Sequence, residues 1–128
     1  MFKRKIYNKM LVWKGESDGK TALLIEGARR IGKSTVAEEF AKREYESYIM
    51  IDFAKASKEI RSLFDDVSDL NYLFLQLQLQ YKTDLHERKS VIIFDEVQLC
   101  PMARQAIKSL VQDHRYDYIE TGSLISIR

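Results

Sequence analysis

The chain has 128 residues, 45% of them hydrophobic and 31% charged, which is enough for one domain with a sizeable core and too little for two ordinary ones. The 21 basic residues against 19 acidic leave a formal charge of +2, so electrostatics gives no reason to expect a nucleic-acid binder. A single cysteine excludes an internal disulfide framework, two separated histidines leave no recognisable zinc set, and no apolar run reaches the ~18 residues of a membrane span. The basic start Lys3, Arg4, Lys5 is followed by no secretory apolar segment, and the composition fits a cytoplasmic protein.

In chain order, residues 1–20 read as an N-terminal arm. Ile6, Met10 and Leu11 are spaced as one short helical face, and Lys14–Lys20 (KGESDGK) reads as a turn. Ala22–Ile25 fits a short strand buried on both faces, ending at glycine. From Lys33 to about Glu46, Val36, Ala37, Phe40, Ala41 and Tyr45 recur at helical spacing, so the chain reads strand, tight turn, helix.

Tyr48–Phe53 (YIMIDF) predicts a second strand, and Ile60, Leu63, Phe64 and Val67 predict a helix over 59–67. The segment Leu75–Gln80 alternates like a strand. The longer stripe Leu70, Leu73, Phe74, Leu77, Tyr81, Leu85 favours a helix, and glutamine forms helices better than strands. Val91–Asp95 is a buried-strand run, and Pro101 suits a first helical turn. Met102, Ala106, Ile107, Leu110 and Val111 give that helix its apolar face, and Tyr116–Thr121 predicts a last strand. Tyr45, Tyr48, Tyr72, Phe74 and Tyr81 sit in packing contexts that build core or boundaries rather than base-stacking platforms. This alternation predicts an α/β fold with a mostly parallel sheet covered by helices on both faces and ligands at the carboxyl ends of the strands. The expected core, residues 21–128, stops where a fuller sheet would continue, so it is expected to be the amino-terminal part of something larger.

The decisive segment is GARRIGKS, Gly27–Ser34, which has the glycine, four residues, glycine, lysine, serine-or-threonine spacing. Its glycines permit a backbone path that turns amide hydrogens toward a phosphate chain, and the helix start adds further donors. The expected nucleotide-binding set is Gly27, Ala28, Arg29, Arg30, Ile31, Gly32, Lys33, Ser34 and Thr35. Lys33 is expected at the β- and γ-phosphates and the Ser34 hydroxyl on magnesium. Arg29 and Arg30 stay open between phosphate or subunit contacts and plain solvation.

The second segment is VIIFDEVQ, Val91–Gln98. It carries Asp95 to a strand end, where the carboxylate can hold the magnesium complex, and places Glu96 to polarise an attacking water. In the third, YIETGS (Tyr118–Ser123), either Ser123 or Thr121 can offer a hydroxyl near the γ-phosphate; position favours Ser123. Glu120 is peculiar in a central strand and is assigned no chemistry. His86 and His114 read as surface residues, and Cys100 is a poor nucleophile without a base at identifiable spacing.

The segments KRKIYNKMLVW, LIEGARRIGKST, VIIFDEVQLCP and RYDYIETGSLISI together resemble the prokaryotic AAA-like P-loop ATPases, which often carry an additional C-terminal domain of uncharacterised function. The resemblance implies a three-layer α/β/α domain binding ATP and Mg2+, with Lys33 and Ser34 at nucleotide and metal, Asp95 at magnesium, Glu96 as catalytic glutamate and Ser123 as sensor. It also implies a further strand and helical lid beyond this segment. Preference for ATP rests on the resemblance and on the absence of an NKxD-type guanine signal. Tyr7, Met10, Leu11 and Trp13 either pack against the core or help cover the adenine.

The expected function is Mg-dependent ATP hydrolysis coupled to conformational change in the full protein. Its alternatives are a nucleotide-gated interaction module with little turnover and, behind it, a small-molecule phosphotransferase, for which no acceptor pocket is identifiable. Self-association or a C-terminal domain partner is expected from the resemblance. Neither Arg104 nor Arg115 is assigned as a trans-acting finger.

Overall fold

The computed structural model describes residues 2–27 and 32–123. The chain order is α1 (Phe2–Ser17), β1 (Leu23–Gly27), α2 (Lys33–Glu44), β2 (Ser47–Asp52), α3 (Lys58–Ser62), α4 (Leu70–Tyr81), β3 (Ser90–Asp95), a 3-10 turn (Val97–Leu99), α5 (Pro101–Asp113) and β4 (Asp117–Ser123). Four strands pair in the order β1-β4-β3-β2, all parallel. The helices between them form three layers, α/β/α, as the alternation predicts.

Strand alternation sorts the core into two halves. On β3, Val91 and Ile93 face one side with Ile119, Ile25 and the α2 residues Val36, Ala37 and Phe40. Ile92 and Phe94 face the other, with Tyr118 and residues of α3, α4 and α5. All six β3 residues are buried, because both faces and both edges are covered.

β1 differs from expectation. It pairs with β4 alone, and of its residues only Ile25 is fully buried, because this strand lies at the sheet edge among the described residues. The arm also differs. α1 runs through Gly15 to Ser17, so the turn is shorter than Lys14–Lys20, and Leu11 is 40% exposed while Met10 is fully buried. The four arm aromatics and aliphatics are used in packing or solvated: Tyr7 donates to Glu44 at 2.9 Å and meets Phe40 edge-on, and Trp13 Nε1 donates to the Thr21 carbonyl at 3.2 Å.

The helix predicted over 59–67 is only Lys58–Ser62, capped by Ser57 and followed by turns that still bury Phe64. α4 is a helix, with Leu73, Phe74 and Leu77 inside and Asp69 accepting from the Tyr72 amide at its start. Tyr72, read as core or boundary, is 55% exposed, because it lies on the opposite side of α4. In α5, Ala106, Ile107 and Leu110 are buried as expected and Ala103 joins them, while Met102 is 41% exposed. Pro101 occupies the first turn as expected. Glu120 lies half-buried on the central strand β4, on the face that carries Tyr118, where burial raises its carboxyl pKa and Arg104 on α5 partly offsets the rise.

Candidate functional site

Because the strands are parallel, Gly27, Asp95 and Ser123 end β1, β3 and β4 on one side of the sheet, with Gly27 and Ser123 in register. α2 starts on the same side. Gly32 precedes it at φ 78°, a left-handed conformation that costs a glycine little, and its carbonyl accepts from the Val36 amide at 3.0 Å. The residues Ala28, Arg29, Arg30 and Ile31 of the expected phosphate loop lie outside the described residues.

Lys33, 2% exposed, reaches back over the sheet. Its Nζ donates to the Gly27 carbonyl at 3.3 Å and to Ser123 Oγ at 3.1 Å. Ser123 Oγ donates in turn to Glu96 Oε2 at 2.9 Å. A second chain of bonds runs beside this one. Ser34 Oγ and Thr121 Oγ1 both donate to Asp95 Oδ1 at 2.6 Å, and the Glu96 amide donates to Thr121 Oγ1 at 3.0 Å. Glu96 has φ 54° and ψ 51°, a backbone state that costs a non-glycine residue energy.

The structure therefore brings five sequence-predicted residues together: Lys33, Ser34, Asp95, Glu96 and Ser123. Thr35 is exposed on the outer side of the first turn of α2. Thr121 is more central than the sequence suggested. It is fully buried and links Asp95 to the Glu96 backbone, and its signal was the β4 alternation that puts it on the same face as Ser123. Two other residues were not singled out. Gln98 Nε2 donates to Glu96 Oε1 at 2.8 Å. Lys3 of α1 stands close enough to the loop that a Cβ on Gly32 would lie 3.5 Å from its Cε, and it lines a groove of about 380 Å³ with Arg4, Tyr7, Asn8, Val36, Glu39 and Arg43.

A hard divalent cation fits the donor set. Ser34 and Asp95 present a hydroxyl and a carboxylate in contact, and no group of three His, Cys, Asp or Glu side chains suited to a metal occurs among the described residues. Two protein oxygens with water and phosphate completing the shell is how Mg2+ is usually held beside nucleotides.

A parallel α/β/α sheet with glycine, lysine and serine opening the helix after its first strand, and an aspartate ending the strand one place removed from it across β4, is a P-loop NTPase-like architecture. Residues 19–127 match the family model described as AAA domain, and the chain belongs to that family. Membership in the AAA-like P-loop ATPases supports ATP binding and hydrolysis in general terms. No curated protein matches the chain. Among solved structures, it is similar to the structure of C. elegans PCH-2 with a TM-score of 0.53 and 14% identity, a likeness of fold. The match covers 99% of this chain and 38% of that one, so the chain spans well under half of that relative's length. No helix among the described residues is long and apolar enough to cross a membrane.

Proposed function

We propose that this chain is a Mg-dependent ATP-hydrolysing module, with residues 1–20 as an arm on a core beginning at residue 21, coupled in the full protein to conformational change in an attached domain or a second subunit. The observation that carries the reading is the convergence of Lys33, Ser34, Asp95, Glu96 and Ser123 in one hydrogen-bonded network at the carboxyl ends of three adjacent strands.

In this reading the loop Gly27–Gly32 with Lys33, Ser34 and Thr35 binds the phosphates, and the Lys33 ammonium exchanges its carbonyl and hydroxyl partners for phosphate oxygens. Ser34 and Asp95 hold Mg2+, which when bound neutralises phosphate charge. The Glu96 carboxylate orients the attacking water and takes up its proton. Ser123, bonded to both Lys33 and Glu96, connects the phosphate-binding group to the water-activating one, as a sensor would.

One observation favours a second reading, a nucleotide-gated module with little turnover: Ser123 Oγ donates to Glu96 Oε2, so turnover stays low unless bound nucleotide draws Ser123 away. Calorimetry of Mg-ATP binding to the wild type and to Lys33→Ala, with phosphate release followed in the same samples, tests both. Affinity falling at least about tenfold in Lys33→Ala, with turnover abolished by Glu96→Gln, is expected. Unchanged affinity in Lys33→Ala sinks the nucleotide site, and tight binding without phosphate release selects the module.

A further inference from the structure

Gln98 lies in the 3-10 turn that follows Glu96. Its Nε2 donates to Glu96 Oε1 at 2.8 Å while Ser123 Oγ donates to Oε2 at 2.9 Å. A donor on each oxygen fixes both the plane and the rotation of the carboxylate. The orientation of the amide follows from the carboxylate, since the reversed amide would set oxygen against oxygen.

The arrangement works against folding. With Nε2 committed to Glu96, Gln98 Oε1 is buried and has no hydrogen-bond partner among the described residues. It lies over Gly122, where a Cβ would come within 3.3 Å of it. An unbonded buried carbonyl oxygen opposes stability, and an apolar side chain of the same length would fill the space without that penalty. An amide that costs stability at the site and gains its one good bond from Glu96 has the signature of a functional group rather than a structural one.

We propose that Gln98 is the positioning residue for Glu96, holding its carboxylate in the orientation from which it activates water. Gln98 touches no reacting atom and acts only through Glu96; a Cβ at Gly122 would press on the amide at 3.3 Å. The inference rests on the reading of Glu96 as the water-activating group.

The test is Gln98→Met, which keeps the length and removes both polar atoms, made in the full chain beside Glu96→Gln. The expected result is a Tm at or above that of the wild type, an ATP Kd within about threefold, and a kcat lower by about tenfold or more, as a displaced catalytic group produces. Gln98→Glu, equal in size but repelling Glu96, should not restore kcat. A parallel fall of Tm and kcat in Gln98→Met would mark a structural role and overturn the proposal. So would a kcat within about twofold of the wild type, or a raised one, while Glu96→Gln stays inactive, which would leave the reading of Glu96 standing. Wild-type turnover by Glu96→Gln would overturn both together. A readout independent of turnover is the 15N-resolved side-chain amide of Gln98: Glu96→Ala should move its resonances, and no movement would exclude the bond on which the proposal stands.

Discussion

Ser34 Oγ donates to Asp95 Oδ1 across 2.6 Å, joining the first turn of α2 to the end of β3 over 61 residues of sequence. The same oxygen accepts from Thr121 on β4, so one carboxylate oxygen ties three elements together. Asp95→Ala deprives two hydroxyls of their acceptor, one of them fully buried, and should cost about 1–3 kcal/mol of stability by denaturant unfolding. Asp95→Asn keeps an acceptor oxygen but loses the charge a divalent cation needs. Its ATP titrations with Mg2+ and with EDTA should coincide, whereas the wild type should bind more tightly with Mg2+. A wild-type Mg2+ enhancement in the Asn variant would remove Asp95 from the metal site.

The pH dependence of stability has a worked sign at Glu120. Burial, opposed by Arg104 and reinforced by Glu26, raises its folded carboxyl pKa above the ordinary 4.5. A carboxyl with a raised folded pKa favours the fold while protonated, and this contribution is lost as pH rises through the folded value. Above the ordinary carboxylate range Glu120 therefore opposes folding. Glu120→Gln should raise Tm at pH 7–8, and the difference from the wild type should shrink as pH falls through and below the ordinary carboxylate range. A constant difference across that range would assign the effect to packing alone.

Far from the site, at the amino ends of the strands, Asp117 is 6% exposed and accepts from Arg88 Nη2 at 2.6 Å and from Tyr45 Oη at 2.5 Å. Arg88 also donates to the His114 carbonyl and packs where Gly19, at φ 78°, leaves room that a Cβ would occupy. Arg88→Ala leaves a buried carboxylate with one neutral donor and should cost about 2–3 kcal/mol, short of a fully buried pair because Arg88 keeps some solvent. Burial, and next the bond to Asp117, push the Tyr45 phenol well above its usual 10. That stabilisation is complete below pH 10 and is lost as pH climbs toward the folded value. Tyr45→Phe should lack this alkaline loss, and equal slopes in the two proteins above pH 10 would contradict the assignment.

The strand before the glycine-rich segment, the helix after it, the strand ending at Asp95 and the parallel sense of the sheet were legible because each depends on local pattern: apolar runs, helical spacing and the alternation of strands with helices. β1 was misread as doubly buried because the sequence of an edge strand in a parallel sheet can be as apolar as that of a central one. Leu11 and Met102 were placed inward because a shift of one residue along a helix turns the apolar face by about 100°, and only the neighbour's shape decides which side is covered. Thr121 and Gln98 act through bonds to residues 26 and two positions away, set by how β4 lies against β3 and by the left-handed turn at Glu96. Alternation along β4 gives the face of Thr121 but not its partners, and no local period gives the bond of Gln98.

The segment Leu75-Gln76-Leu77-Gln78-Leu79-Gln80 carries the sharpest local conflict, since a strand would put all three leucines on one face and a helix would divide them. In α4, Leu77 is 1% exposed, packed with Phe74 and Leu73, while Leu75 and Leu79 are 52% and 61% exposed. The glutamines contribute to the helical outcome: Gln78 donates to the Phe74 carbonyl four residues back and accepts from the Leu85 amide beyond the helix end. Lys82 then closes the helix at φ 51°, with its amide bonded to the Gln78 carbonyl. Leu77→Ala should therefore cost about 2–5 kcal/mol, as a methyl-deleting change in a packed core does. Leu75→Lys and Leu79→Lys should each stay within about 0.5 kcal/mol of the wild type in urea unfolding. Equal and large losses at all three leucines would mean that the segment is buried along one face and is not the helix described.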